Sequence, residues 1–185
     1  MLSFIPTKID IEDASARIAP YIHNTPVLTS SQLNLRFNSN LYFKCENFQK
    51  AGSFKSRGAI NAILSLSKKS LELGVATHSS GNFAQALARA ASILKVPSYI
   101  VMPKNAPKVK VDAVEGYGGQ VIFCEPTLSA REDTLKQVIS NTGANEIHPY
   151  DDYDIIAGQG TATLELCDSI KDLDIILCPI GGGGL

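Results

Sequence analysis

The chain has 185 residues, 44% of them hydrophobic and 19% charged, with a formal net charge of −1 at pH 7. That length suits one ordinary domain or two small lobes, and the composition excludes disorder and supports a packed core. No Lys/Arg run is long, no apolar run nears the length of a bilayer span, and the opening MLSFIPTKIDIED turns acidic too early for a signal peptide. The expectation is a cytoplasmic protein with neither a nucleic-acid nor a membrane partner.

In chain order, Asp10 to Ile22 reads as a helix, with Ile11, Ala14, Ile18 and Tyr21 at helical spacing. Residues 40–46 (NLYFKCE) read as a strand, and 53–69 as a helix that Ser53 is able to cap. A short strand over 73–80 leads into an Ala-rich helix over 81–95 and a strand over 97–103 between prolines. Residues 106–118 then read as a helix with Pro107 near its start and glycines at its end. A strand (119–126), a helix (127–143), a short strand (144–149), a helix (152–171) and a strand (173–180) complete the series. Short apolar strands alternating with helices predict a parallel sheet flanked by helices, with ligands collecting at the carboxyl ends of the strands.

The four cysteines, Cys45, Cys124, Cys167 and Cys178, form no C-x-x-C pair. They read as small buried hydrophobes in a reducing compartment rather than as disulfides or zinc ligands. The three histidines, His23, His78 and His148, also lack metal-ligand spacing.

Three Gly-containing polar loops fall at predicted strand-to-helix junctions: KAGSFKSRG (50–58), HSSGNFAQ (78–85) and the terminal GGGG (181–184). Each alone is compatible with a helix cap. Neither G-x-x-x-x-G-K-[ST] nor a strand-following G-x-G-x-x-G occurs. Successive glycine amides form a nest for an anion, which fits a phosphate held by backbone. Lys55 lies in the first turn of a predicted helix, where the dipole disfavours a cation. It is either a solvated lysine that tolerates a small cost or an amine with a lowered pKa, suited to forming a Schiff base.

Four stretches in order, FKCENFQKAGSFKSRGA, THSSGNFAQALA, HPYDDYDIIAGQGT and CPIGGGGL, resemble the serine racemase and serine/threonine dehydratase family. These are pyridoxal-phosphate (PLP) enzymes of the tryptophan-synthase-β-like fold, fold type II. The resemblance implies a parallel-sheet α/β architecture, with residues 71–149 as a smaller lobe inserted in a large lobe built from 1–70 and 150–185. It implies that Lys55 carries PLP as a Schiff base, with Phe54 beside the cofactor. Asn82 is then the partner of the ring hydroxyl, and Gly181, Gly182, Gly183 and Gly184 cup the phosphate. Ser79, Ser80, Gly81 and Asn82 hold the substrate carboxylate.

The family chemistry is serine racemisation, or dehydration of serine or threonine to pyruvate or 2-oxobutanoate with release of ammonia. Ser80 matches the acid of serine racemases on the face opposite the lysine; the alternative is that it only hydrogen-bonds carboxylate or loop. Ser30, Ser31, Lys50, Gln85 and Tyr117 match positions around an activating ATP. The full-length family member is a homodimer that also takes Mg2+, with no metal site within this chain.

Three residues depart from the family pattern. Phe83 stands where histidine is common, Ala51 where threonine is common, and Tyr150 follows the dehydratases where Ser80 follows the racemases. Family members continue well past the glycines, so the chain is expected to be truncated inside its own active site. Strand 174–179 should then lack neighbours, and the chain alone should be inactive and poorly soluble. Two other readings stand beside the enzyme: a truncated non-catalytic paralogue that binds PLP weakly or pairs with a full-length subunit, and an α/β binding module without PLP.

Overall fold

The computed structural model describes residues 5–185. The first helix, α1 (Lys8–Ile18), begins two residues before the expected Asp10. Thr7 supplies the cap: its amide donates to Asp10 Oδ2 at 2.7 Å, and its own Oγ1 accepts from the Asp10 amide at 3.5 Å. A single 3₁₀ turn (Ala19–Tyr21) follows at Pro20. Residues 23–39, which periodicity leaves unassigned, fold into β1 (Val27–Thr29) and α2 (Ser31–Phe37). The expected strand over 40–46 is confined to β2 (Tyr42–Lys44), which pairs antiparallel with β1.

The helix expected over 53–69 breaks in two, α3 (Lys55–Leu64) and α4 (Lys68–Leu73). The break is local chemistry: Ser65 and Ser67 interrupt the apolar pattern, and the Ser67 hydroxyl accepts from the Ser70 amide to start α4. Gly74 then turns the chain at φ +88°, where a β-carbon would stand 2.6 Å from the Pro97 carbonyl.

From there the alternation is regular: β3 (Val75–His78), α5 (Asn82–Leu94), β4 (Ser98–Pro103), α6 (Lys108–Gly116), β5 (Gln120–Cys124), α7 (Leu128–Thr142), β6 (Asn145–Glu146) and α8 (Tyr153–Ser169). The four strands β3–β6 form one parallel sheet in the order β5-β4-β3-β6. One face meets α5 and α6 through Val75, Ile100 and Met102; the other meets α7 through Ala76, Val101 and Leu135. Alanines at 84, 86, 88, 90 and 91 are all buried, which lets α5 lie close between the sheet and α3. Beyond α3 pack α8 and α1.

The strand expected over 173–180 is not formed. A strand requires hydrogen-bonding partners, and no described strand pairs with this segment. Ile175, Leu177 and Ile180 are 75%, 88% and 86% exposed.

Candidate active site

The sheet order places the site. From β3 the chain steps outward to β4 and β5, and α7 then returns it to the opposite side of β3. The loops leaving β3 and β6 therefore diverge at a topological switch point, where open α/β sheets bind ligands. Ser79–Gly81 leave β3, and His148–Asp152 leave β6.

Lys55 opens α3 beside these loops. Its Nζ donates to the Pro149 carbonyl at 2.8 Å and lies 5.0 Å from the Phe54 ring centroid and 5.9 Å from that of Phe83. Burial pushes its pKa below the ordinary lysine value, because desolvation penalises the ammonium. The preceding turn is unusual. Ala51 (φ +52°) and Gly52 (φ +70°) are both left-handed, and the Ser56 hydroxyl donates back to the Lys50 carbonyl. The pair of left-handed residues turns the chain sharply into α3 and presents Phe54 and Lys55 to the cleft.

Lys55, Phe54, Tyr150, Pro179, Gly181–Gly184 and Leu185 line a cleft of about 190 Å³. No amide of the glycine run makes a backbone hydrogen bond among the described residues. A β-carbon at Gly181 or Gly183 would meet nothing within 4 Å, whereas one at Gly182 would stand 2.5 Å from the Tyr150 ring. The run thus combines free donors with an open side, across a cleft from a partly desolvated amine. That donor set fits an anionic aldehyde such as PLP, whose phosphate suits the amides and whose carbonyl carbon suits the lysine.

The other expected site residues sit on the β3–α5 junction, outside the lining of that cleft. The Ser79 amide donates to the Val101 carbonyl, and its hydroxyl accepts from the Gly81 amide at 3.3 Å. Ser80 is half-buried and Asn82 exposed at the α5 N-terminus. Asn82 Oδ1 accepts from Lys110 Nζ at 2.8 Å, which leaves the amide nitrogen as the group free to donate. Phe83 is buried in the core. The five residues matched to an ATP site lie at the start of α2 (Ser30, Ser31), in the turn before α3 (Lys50), on α5 (Gln85) and after α6 (Tyr117). Ser30 serves locally as the α2 cap, accepting from the Leu33 amide at 3.4 Å. Among the described residues no cluster of His, Cys, Asp and Glu is placed to hold a metal ion, and no helix is long and apolar enough to cross a membrane.

Beneath the lysine lies a feature that residue patterns did not reveal. Arg57 is fully buried and bonded on two sides: Nε to Glu46 at 2.8 Å and Nη1 to Glu165 at 2.7 Å. Lys44 Nζ adds a 2.6 Å bridge to Glu165. Burial alone would lower the Arg57 pKa, but the bonds to Glu46 and Glu165 outweigh it and hold the group firmly charged. Burial likewise pushes Glu165 up, and its bonds to Arg57 and Lys44 carry it below the ordinary glutamate value. The only sequence signal for Arg57 was its place two residues after Lys55. Tyr150 was visible as a departure from pattern, but not as a neighbour of the glycines.

The switch-point sheet, the amine and the glycine run make an α/β scaffold with a cleft suited to an anionic cofactor. The chain belongs to the pyridoxal-phosphate dependent enzyme family, which matches residues 18–185. It is 53% identical over 176 residues to the serine racemase of Dictyostelium discoideum, covering 95% of this chain and 54% of that protein. The crystal structure of that racemase superposes with a TM-score of 0.92, covering 95% of this chain and 57% of the other. A β-hydroxyaspartate dehydratase of Paracoccus denitrificans is 48% identical over 182 residues, 98% of this chain and 58% of its own length. The crystal structure of the T.th. threonine deaminase, 41% identical, gives a TM-score of 0.88 over 97% of this chain and 58% of its own. The fold is therefore that of the type II PLP enzymes, and the chain spans about half the length of the curated relatives it matches.

Proposed function

We propose that the protein is a PLP-dependent enzyme acting on β-hydroxy α-amino acids, as a serine racemase, a serine/threonine ammonia-lyase, or both. The observation that carries the reading is the pairing of a partly desolvated Lys55 with unbonded glycine amides across one cleft. The names of the relatives support the substrate class, because serine, threonine and 3-hydroxyaspartate share a β-hydroxyl leaving group.

Lys55 Nζ would hold the cofactor covalently, Gly181–Gly184 its phosphate, and Asn82 Nδ2 its ring hydroxyl, with Phe54 alongside. When bound, PLP supplies the sink for the electron pair left by a departing α-proton. Lys55 Nζ would take the proton from Cα on its own face, and burial favours its neutral form relative to a solvated lysine. Ser79, Ser80 and Gly81 orient the substrate carboxylate, which fixes the face that Cα shows to the lysine. Ser80 Oγ delivers a proton to the opposite face of Cα when racemisation occurs. When the β-hydroxyl leaves instead, serine yields pyruvate and ammonia, and threonine yields 2-oxobutanoate and ammonia.

In this reading residues 71–149 form the small lobe and the rest the large one. A homodimer, ATP near Ser30, Ser31, Lys50, Gln85 and Tyr117, and Mg2+ in the full-length family member are what the resemblance to serine racemases implies. A cytoplasmic location suits four free thiols, of which Cys124 is buried as expected whereas Cys167 and Cys178 are exposed. The test is to supply PLP to the purified protein and measure D-serine by chiral chromatography alongside 2-oxo acid release from serine, threonine and 3-hydroxyaspartate. Turnover of any of them supports the reading; a protein of the relatives' full length, carrying this chain, that takes up PLP yet turns over none contradicts it.

A further inference from the structure

The segment His148–Asp151 touches both halves of the cleft. Its Pro149 carbonyl accepts from Lys55 Nζ at 2.8 Å. One residue on, Tyr150 lies against the glycine run. A β-carbon on Gly182 would stand 2.5–2.7 Å from three carbons of the Tyr150 ring, and one on Gly184 would stand 2.7 Å from Tyr150 Cα and Cβ. Gly181 and Gly183, pointing the other way, meet nothing. The tyrosine therefore occupies one side of the run, and its own orientation is fixed from behind. His148 Nδ1 accepts from the Asp151 amide at 2.8 Å and from the Tyr150 amide at 3.4 Å, while the two rings meet edge-on with centroids 4.5 Å apart.

From this geometry we propose that Tyr150 is a positioning residue that braces the glycine run, so that its free amides stand ready for an anion opposite Lys55. The proposal rests on the functional reading above and adds to it a reason for two of the glycines. Gly182 and Gly184 are glycine because Tyr150 occupies the space of their side chains. Glycine is the residue that loses most freedom when ordered, so an unbraced run would have to be ordered by the ligand itself. A brace transfers that ordering to the folded protein, which is preorganisation. The contacts to Gly182 come from the ring carbons, so the phenolic hydroxyl is dispensable for them.

A mutant cycle read by cofactor affinity tests this. PLP is titrated into the wild type, Tyr150→Phe, Tyr150→Ala, Gly182→Ala and the Tyr150→Ala/Gly182→Ala double variant, with uptake followed by visible absorbance and folding checked by circular dichroism. Tyr150→Phe should bind as the wild type does. Tyr150→Ala should weaken binding by about tenfold, the factor set by ordering roughly one residue at the moment of binding. Gly182→Ala should weaken it at least as much, because its β-carbon collides with the ring. The double variant should be no weaker than Gly182→Ala alone, since the clash disappears with the ring; such non-additivity is the signature of direct contact. Additive losses, unchanged affinity in Tyr150→Ala, or tighter binding in Tyr150→Ala would overturn the brace. Those outcomes leave the functional reading intact. A wild type that takes up no PLP would instead sink that reading, and the brace with it.

Discussion

Lys55 Nζ donates to a backbone carbonyl rather than to a carboxylate, so among the described residues no negative partner restores the charge that burial disfavours. The neutral amine is the nucleophile, desolvation favours it, and the fraction present at a given pH is higher than for a solvated lysine. The rate at which the cofactor-free protein captures PLP should rise with pH and level off below the ordinary lysine range. Stopped-flow absorbance across pH measures this; a midpoint at or above the ordinary lysine value would contradict the role given to burial. Ser80 makes a second residue-scale prediction. Ser80→Ala should abolish racemisation and leave most of the dehydration, because in the proposed mechanism removing an acid from one face of Cα does not stop Lys55 on the other. Chiral analysis alongside 2-oxo acid release decides it, and equal loss of both would make Ser80 a binding residue. The motif GSFK singled out Lys55 and Phe54 in the sequence, and both line the cleft. The partner of Lys55 was not, because it is a carbonyl 94 residues away and a backbone carbonyl leaves no residue-type signal. Lys110 was hidden for a related reason: its bond to Asn82 spans 28 residues and joins two helices.

The elements that aim Lys55 are α3 and α8, and they cross at two glycines. A β-carbon on Gly158 would stand 2.6 Å from Gly58 Cα and 2.8 Å from the Arg57 carbonyl, so backbone meets backbone there. Gly158→Ala must push the helices apart and should destabilise the fold by roughly 1–3 kcal/mol, the usual range for overpacking. Denaturant unfolding measures it, and a neutral result would mean that the crossing is loose. Arg57 holds the same crossing by charge. Arg57→Leu would leave Glu46 with only the Thr25 hydroxyl at 2.6 Å and Glu165 with Lys44 alone, a loss of roughly 3–5 kcal/mol for a broken buried pair. If the same unfolding measurement finds the variant as stable as the wild type, the network contributes no net stability. Periodicity made α5, α6, α7 and α8 and the central strands legible, since their apolar faces are long or continuous. It failed where elements are short or locally capped: α1 starts early through Thr7, α2 is a single capped heptad, and α3 and α4 part at serines. Residues 173–180 carry the apolar composition of a strand, but strand formation needs a partner that composition does not record.

Across the whole molecule, strand order brings distant segments together. β3 and β6 lie side by side in the sheet, and the segment that leaves β6 meets Lys55 of α3 through Pro149 and the glycines at 182 and 184 through Tyr150. Parallel β-α alternation made this layout legible in outline. The reversal between β3 and β6, which opens the switch point, became visible only once the strands were paired. We propose that this arrangement binds PLP through Lys55. Borohydride reduction of the PLP-treated protein, followed by peptide mass mapping, tests it most directly. The predicted result is a phosphopyridoxyl group fixed on Lys55 and its loss in Lys55→Ala. Label on another lysine, or the same labelling in wild type and variant, would contradict it.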